Sequence, residues 1–116
     1  MKGKWTVRLV AASERDFQEI IKRSAQDFSP LKAKVYAETL QLAIDALREN
    51  GAKTVGVQER EEIGPGIFTL HAARRKRNAS HFLVCRVPEI QIIEILRILH
   101  DRMVLARHIS RVQEPP

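Results

Sequence analysis

The 116-residue sequence predicts an α+β fold: an N-terminal strand, an antiparallel helical hairpin packed on a small antiparallel sheet, and a short C-terminal helix. Three observations carry that expectation. Residues 4–10 alternate apolar and polar. Residues 13–50 then carry two stripes at helical spacing, and beyond Gly64-Pro65-Gly66 the period returns to two.

In residues 4–10, Trp5, Val7 and Leu9 share one face and Thr6 and Arg8 the other, the period of a half-buried strand. Ser13 follows as a candidate N-cap, with Asp16 three residues on placed to return the hydrogen bond. Phe17, Ile20, Ile21, Ser24 and Phe28 then form a narrow stripe at i, i+3, i+4 spacing. Ser29-Pro30 restarts the chain, since proline at the first helical position gives up an N–H that has no partner there. Ala33, Tyr36, Ala37, Leu40, Ala43, Ile44 and Leu47 supply a second stripe, and Asn50-Gly51 ends it with residues that tolerate a left-handed backbone. Two helices joined this tightly form an antiparallel hairpin.

Residues 51–66 read as a connector with the acidic run Glu59, Glu61 and Glu62. Residues 67–72, 81–87 and 91–99 are rich in β-branched and large apolar residues and read as strands. Short polar connections between them favour an antiparallel meander. The last strand is apolar on both faces except at Glu94 and Arg97, which places it centrally under the hairpin. Residues 100–109 read as a short helix and 113–116 as a frayed end. The order is β-α-α-β-β-β in one domain spanning 1–116.

The composition fits a compact soluble domain, with 44% hydrophobic and 29% charged residues. The single cysteine, Cys85, excludes an internal disulfide and matches a reducing cytoplasm. The longest apolar candidate, 90–99, is interrupted by Glu94 and Arg97, so no membrane segment is expected, and Arg8 breaks any leader-like run near the start.

The net charge of +6 is confined to one half of the chain. Between His71 and Arg111 stand nine of the 20 basic residues but three of the 14 acidic ones, together with all four histidines. A one-sided field of this kind predicts an anionic partner, either nucleic acid or an acidic protein segment. The run Arg74, Arg75, Lys76, Arg77 falls in a turn and concentrates the potential. Arg86 and Arg97 lie within strands, where a cation either pairs with a carboxylate such as Glu94 or Asp101 or faces a groove. His100 and Arg102 continue the basic region.

No cofactor or metal is expected. The histidines at 71, 81, 100 and 108 lack ligand spacing and Cys85 has no second cysteine. Gly64-Pro65-Gly66 precedes a strand and so is a turn, not a phosphate loop. Ribonuclease chemistry needs a base, an acid and cations. His81, Arg86, Arg97 and His100 are the candidates for it, while the only tyrosine, Tyr36, lies on an apolar stripe and is expected to be buried.

The order of elements resembles the RelE/ParE superfamily of bacterial type II toxins, and its ParE branch in particular. The likeness is carried by Gly64-Pro65-Gly66-Ile67, by His81-Phe82, and above all by Ile93-Glu94-Ile95-Leu96-Arg97-Ile98-Leu99-His100-Asp101-Arg102-Met103, and covers about residues 4–110. Cys85 stands where such chains usually have tyrosine, and Val104 where they usually have aspartate. The resemblance implies a binding toxin with no catalytic residues, acting on DNA gyrase and neutralised by an acidic, ParD-like antitoxin. RelE-like relatives instead cleave mRNA on the ribosome. The expected partner-binding residues are Arg74, Arg75, Lys76, Arg77, Arg86, Arg97, His100 and Arg102.

Overall fold

The computed structural model describes residues 4–74 and 76–103. Strand β1 (Thr6–Leu9) leads into helices α1 (Ala11–Asp27) and α2 (Pro30–Asn50), followed by a single 3-10 turn at Gly51–Lys53. Four strands follow: β2 (Gln58–Glu59), β3 (Phe68–His71), β4 (His81–Glu89) and β5 (Ile92–His100). They form one five-stranded sheet in the order β1-β5-β4-β3-β2. The meander from β3 to β5 is antiparallel as expected, with β2 added at its edge, and β5 is an interior strand between β1 and β4. The sheet as a whole is mixed, because β1 pairs parallel to β5, with Thr6 opposite Ile92 and Leu9 opposite Ile95. The crossover that parallel pairing requires is the helical hairpin with the strands after it.

The two helices begin differently. Ser29 caps α2 as expected, its hydroxyl accepting the Lys32 N–H at 3.1 Å with Pro30 behind it. Ser13 does not cap α1. The helix starts earlier, with Val10 at the cap position, and Ser13 is fully buried inside its first turn. Its hydroxyl contacts the carbonyls of Val10 at 2.9 Å and Ile95 at 2.7 Å, so it fastens the helix to β5. Asp16 faces the sheet instead of returning to the helix start. At the far end of α2, Gly51 adopts φ +61° under the indole of Trp5, where a β-carbon would meet the ring.

The core lies between the hairpin and one sheet face. Leu40, Ala43, Ile44 and Leu47 of α2 meet Leu70, Leu83, Cys85, Ile93 and Ile95, each nearly or fully buried. Trp5, Val7, Leu9, Phe17, Ile20 and Ile21 close the sides, so the strand and helix stripes read from the sequence are the packing faces, except for Phe28, which caps the end of α1 and is exposed. A smaller cluster joins Ile67, Val84, Leu96 and Leu99 with Val10, Ile63 and Phe82. A bulge between Val84 and Cys85 shifts the β4–β5 register at Leu96. Cys85 is wholly buried, and its apolar surroundings push the thiol above its ordinary range, as a packing residue requires.

Two sequence expectations need correction, one at the C-terminal end and one in the connector. His100 ends β5 and residues 101–103 form a turn, so the expected helix does not begin there, and the rest of 100–109 lies outside the described residues. The connector also holds β2, a two-residue strand too short to show a period.

Candidate functional site

A groove of about 1310 Å³ runs between the helical hairpin and the end of the sheet where β4 begins and β5 finishes. Its apolar wall includes Phe28, Leu31 and Val35, whose exposures of 72%, 71% and 47% are high for residues of their size. Met103, 44% exposed, lines the same groove. Large apolar side chains left open together mark a surface that another molecule covers.

The opposite wall is polar. The Tyr36 hydroxyl accepts the Ser80 N–H at 2.9 Å and lies 2.7 Å from His81 Nδ1, to which it donates its own proton. Tyr36 is therefore not a core residue. It is half-buried with its oxygen at the groove, and burial raises its pKa. The His81 ring stands edge-on to His100, with centroids 5.2 Å apart. Half-burial and the neighbouring His100 press the His81 pKa down to about 4, so it is neutral at pH 7.

The described histidines share one tautomer, assigned by their partners. His81 Nδ1 takes the tyrosine proton, His71 Nδ1 takes the Ala73 N–H at 3.1 Å, and His100 Nδ1 takes the Arg102 N–H at 3.2 Å. Each ring therefore carries its proton on Nε2. His71 spends that proton on Asp101 at 3.0 Å, which holds the Asp101 carboxyl below the usual carboxylate range.

The expected partner-binding cations separate into three groups. Arg77, Lys76, Arg97 and His100 line the groove. Arg97 is locked there: its guanidinium grips Asp16 of α1 at 2.7 and 3.1 Å, which raises its already high pKa. Asp16 also accepts the Ile98 N–H at 2.9 Å. Of the two pairings open to Arg97, neither Glu94 nor Asp101 is used. Arg77 is partly occupied as well, bonding Thr39 Oγ1 at 3.0 Å and the Val35 carbonyl at 3.2 Å, with Glu38 at 3.7 Å.

Arg86 belongs to a different place. It pairs with Glu94 at 2.9 Å, and Glu94 is reached from its other side by Arg8 at 3.2 Å, making a cross-strand row over β1, β5 and β4. Arg74 reaches the Val55 carbonyl at 3.3 Å, Arg102 is exposed beside His100, and Arg75 lies outside the described residues. The cations are thus not one continuous field, and the strand arginines are neutralised. What sequence reasoning missed is that Leu31 and Val35 join Phe28, the last residue of the first helix stripe, in an exposed apolar wall. Leu31 and Val35 stand four apart on α2, the spacing that puts two side chains on one helix face.

The family model described as the ParE toxin of the type II toxin-antitoxin system parDE matches residues 7–105, nearly the whole chain. The chain belongs to the ParE toxin family. Its fold agrees with solved relatives. It is similar to a chain of the chromosomal ParDE system of P. aeruginosa, at 21% identity and TM-score 0.66, covering 84% of this chain and 96% of that one. It is similar also to a chain of the RelBE2 toxin-antitoxin complex of Mycobacterium tuberculosis, at 22% identity and TM-score 0.56, covering 86% and 94%. No curated protein sequence matches it. Among the described residues of this ParE-family toxin, no helix is long and apolar enough to cross a membrane, and no three potential ligands group as a metal site.

Proposed function

We propose that this ParE-family chain is a cytoplasmic binding toxin that poisons DNA gyrase and is held inactive by an acidic antitoxin segment seated in the hairpin groove. The observation that carries the antitoxin part is the pairing of an open apolar wall (Phe28, Leu31, Val35) with a cationic wall (Lys76, Arg77) in one groove. An amphipathic segment that folds on binding satisfies both walls. Both solved relatives come from toxin-antitoxin systems, which supports the same reading. The gyrase part rests on the family. Expressed alone, the chain should arrest growth with gyrase-linked DNA breaks, and co-expression of the adjoining acidic protein should restore growth. Arrest without DNA breaks counts against gyrase.

One observation favours a second reading, a ribosome-dependent endoribonuclease. Tyr36, His81, Arg97 and His100 line one groove, whereas the other sequence candidate, Arg86, is paired outside it. A hydroxyl hydrogen-bonded to an imidazole is acid–base machinery. Yet Arg97 is neutralised by Asp16, and free Nε2–H groups make His81 and His100 donors rather than bases. mRNA cuts in a translation extract that vanish with His81→Ala establish this reading in place of the first.

A further inference from the structure

His81 and His100 each present an Nε2–H whose hydrogen-bonding capacity is unused among the described residues, and no buried side-chain nitrogen there lacks a partner, so both open to solvent at the groove. We propose that these two imidazoles form a donor subsite that receives one carboxylate side chain of the antitoxin segment, and that docking is thereby coupled to proton uptake. The proposal rests on the antitoxin-docking reading above. Two fixed N–H donors with ring centroids 5.2 Å apart offer the complement of a carboxylate. The surroundings favour a protein over a nucleic-acid strand. Charge does not separate the two, but Phe28, Leu31 and Met103 in the same groove call for apolar side chains, which a protein segment has and a phosphate backbone lacks.

The proton linkage follows from what faces the pair. Tyr36 of α2 donates to His81 and so opposes its protonation, while His71 of β3 adds like charge only when it is itself protonated. Asp101 beyond β5 favours the charged form, as does Asp16 of α1, though the latter is already matched by Arg97. Lys76 and Arg77 line the groove from the β3–β4 turn and disfavour it. The empty subsite is therefore neutral at His81, and an arriving carboxylate supplies the missing counter-charge and draws a proton onto that ring.

The probe is a cognate ParD-like acidic antitoxin, titrated calorimetrically into the full chain in two buffers of unequal ionisation enthalpy. The expected result is uptake of up to about one proton per complex and roughly five- to tenfold tighter binding at pH 6 than at pH 8. His81→Gln keeps a donor without titrating, so it should flatten the pH dependence, and His100→Ala, which removes the second donor, should weaken binding at both pH values. The imidazole Cε1–H signals of the unmutated chain, followed by NMR free and bound, give the same answer if either variant folds poorly. A complex equally tight at pH 6 and pH 8 with no proton uptake overturns the subsite alone. No complex at any pH overturns the docking reading and the subsite with it. A single-stranded RNA oligonucleotide that shifts the same two signals more strongly than the acidic protein does also overturns it.

Discussion

Arg97 and Asp16 are 81 positions apart in sequence and form a two-pronged ion pair that fastens β5 to α1, with both side chains mostly shielded from water. Asp16 takes the Ile98 N–H as a third donor. Replacing Asp16 with alanine strands a guanidinium and a backbone N–H together. The expected loss is about 2–4 kcal/mol, read as a lower urea midpoint with unchanged slope. Arg97→Met, which removes the stranded charge along with its partner, should restore part of that loss in the double variant.

Gly51→Ala should be more damaging than its size implies. The site needs a left-handed backbone, and a methyl group there runs into the Trp5 indole. The Trp5 backbone is also fixed, its amide N–H donating to the Arg48 carbonyl at 2.8 Å. The variant is expected to lose about 2–3 kcal/mol, with a red-shifted tryptophan emission showing that the ring has been expelled.

The stability of the free chain should fall on acidification through His81. Its folded pKa of about 4 lies below the unfolded value of 6.5, so the unfolded state takes up a proton first. No stability is lost above pH 6.5, and the loss accumulates as pH drops from there toward 4. Because the ring is partly exposed, screening reduces the effect to about 1–2 kcal/mol. Urea unfolding at pH 7 and pH 4.5 checks this, and His81→Gln should show a smaller difference between the two.

Leu31→Glu and Phe28→Glu should separate binding from folding. Both side chains are about seven-tenths exposed, so thermal stability is expected to change by no more than about 0.5 kcal/mol. Affinity for the antitoxin should fall roughly tenfold or more, because a charge is pressed onto the apolar wall. Unaltered affinity in both variants would place the docking segment elsewhere.

Most of the fold was legible because local chemistry and tertiary packing agree. The Ser29-Pro30 start, the Asn50-Gly51 stop and the three long C-terminal strands all follow from patterns within a few residues. Where reading failed, a distant partner outbid a local one. Ser13 and Asp16 look like a capping pair, yet Ile95, Arg97 and Ile98 claim them across the chain. Parallel pairing of β1 with β5 is invisible for the same reason. At the site, charge was legible but its pairing only in part: Glu94 stands among the carboxylates the sequence offers to the strand arginines and does pair with Arg86, whereas Asp16, 81 positions from Arg97, is a partner no local pattern points to. Tyr36 misled because its ring sits among apolar residues while its oxygen reaches the groove.

The seating of the first strand on the last sets a timetable for synthesis. Until Ile92–His100 has left the ribosome, Thr6–Leu9 has no edge to bind and Trp5, Val7 and Leu9 lack the wall they pack against. Contacts this far apart in sequence also close slowly. A cell making this toxin is thus spared its folded shape during elongation, and an antitoxin gains that interval to arrive.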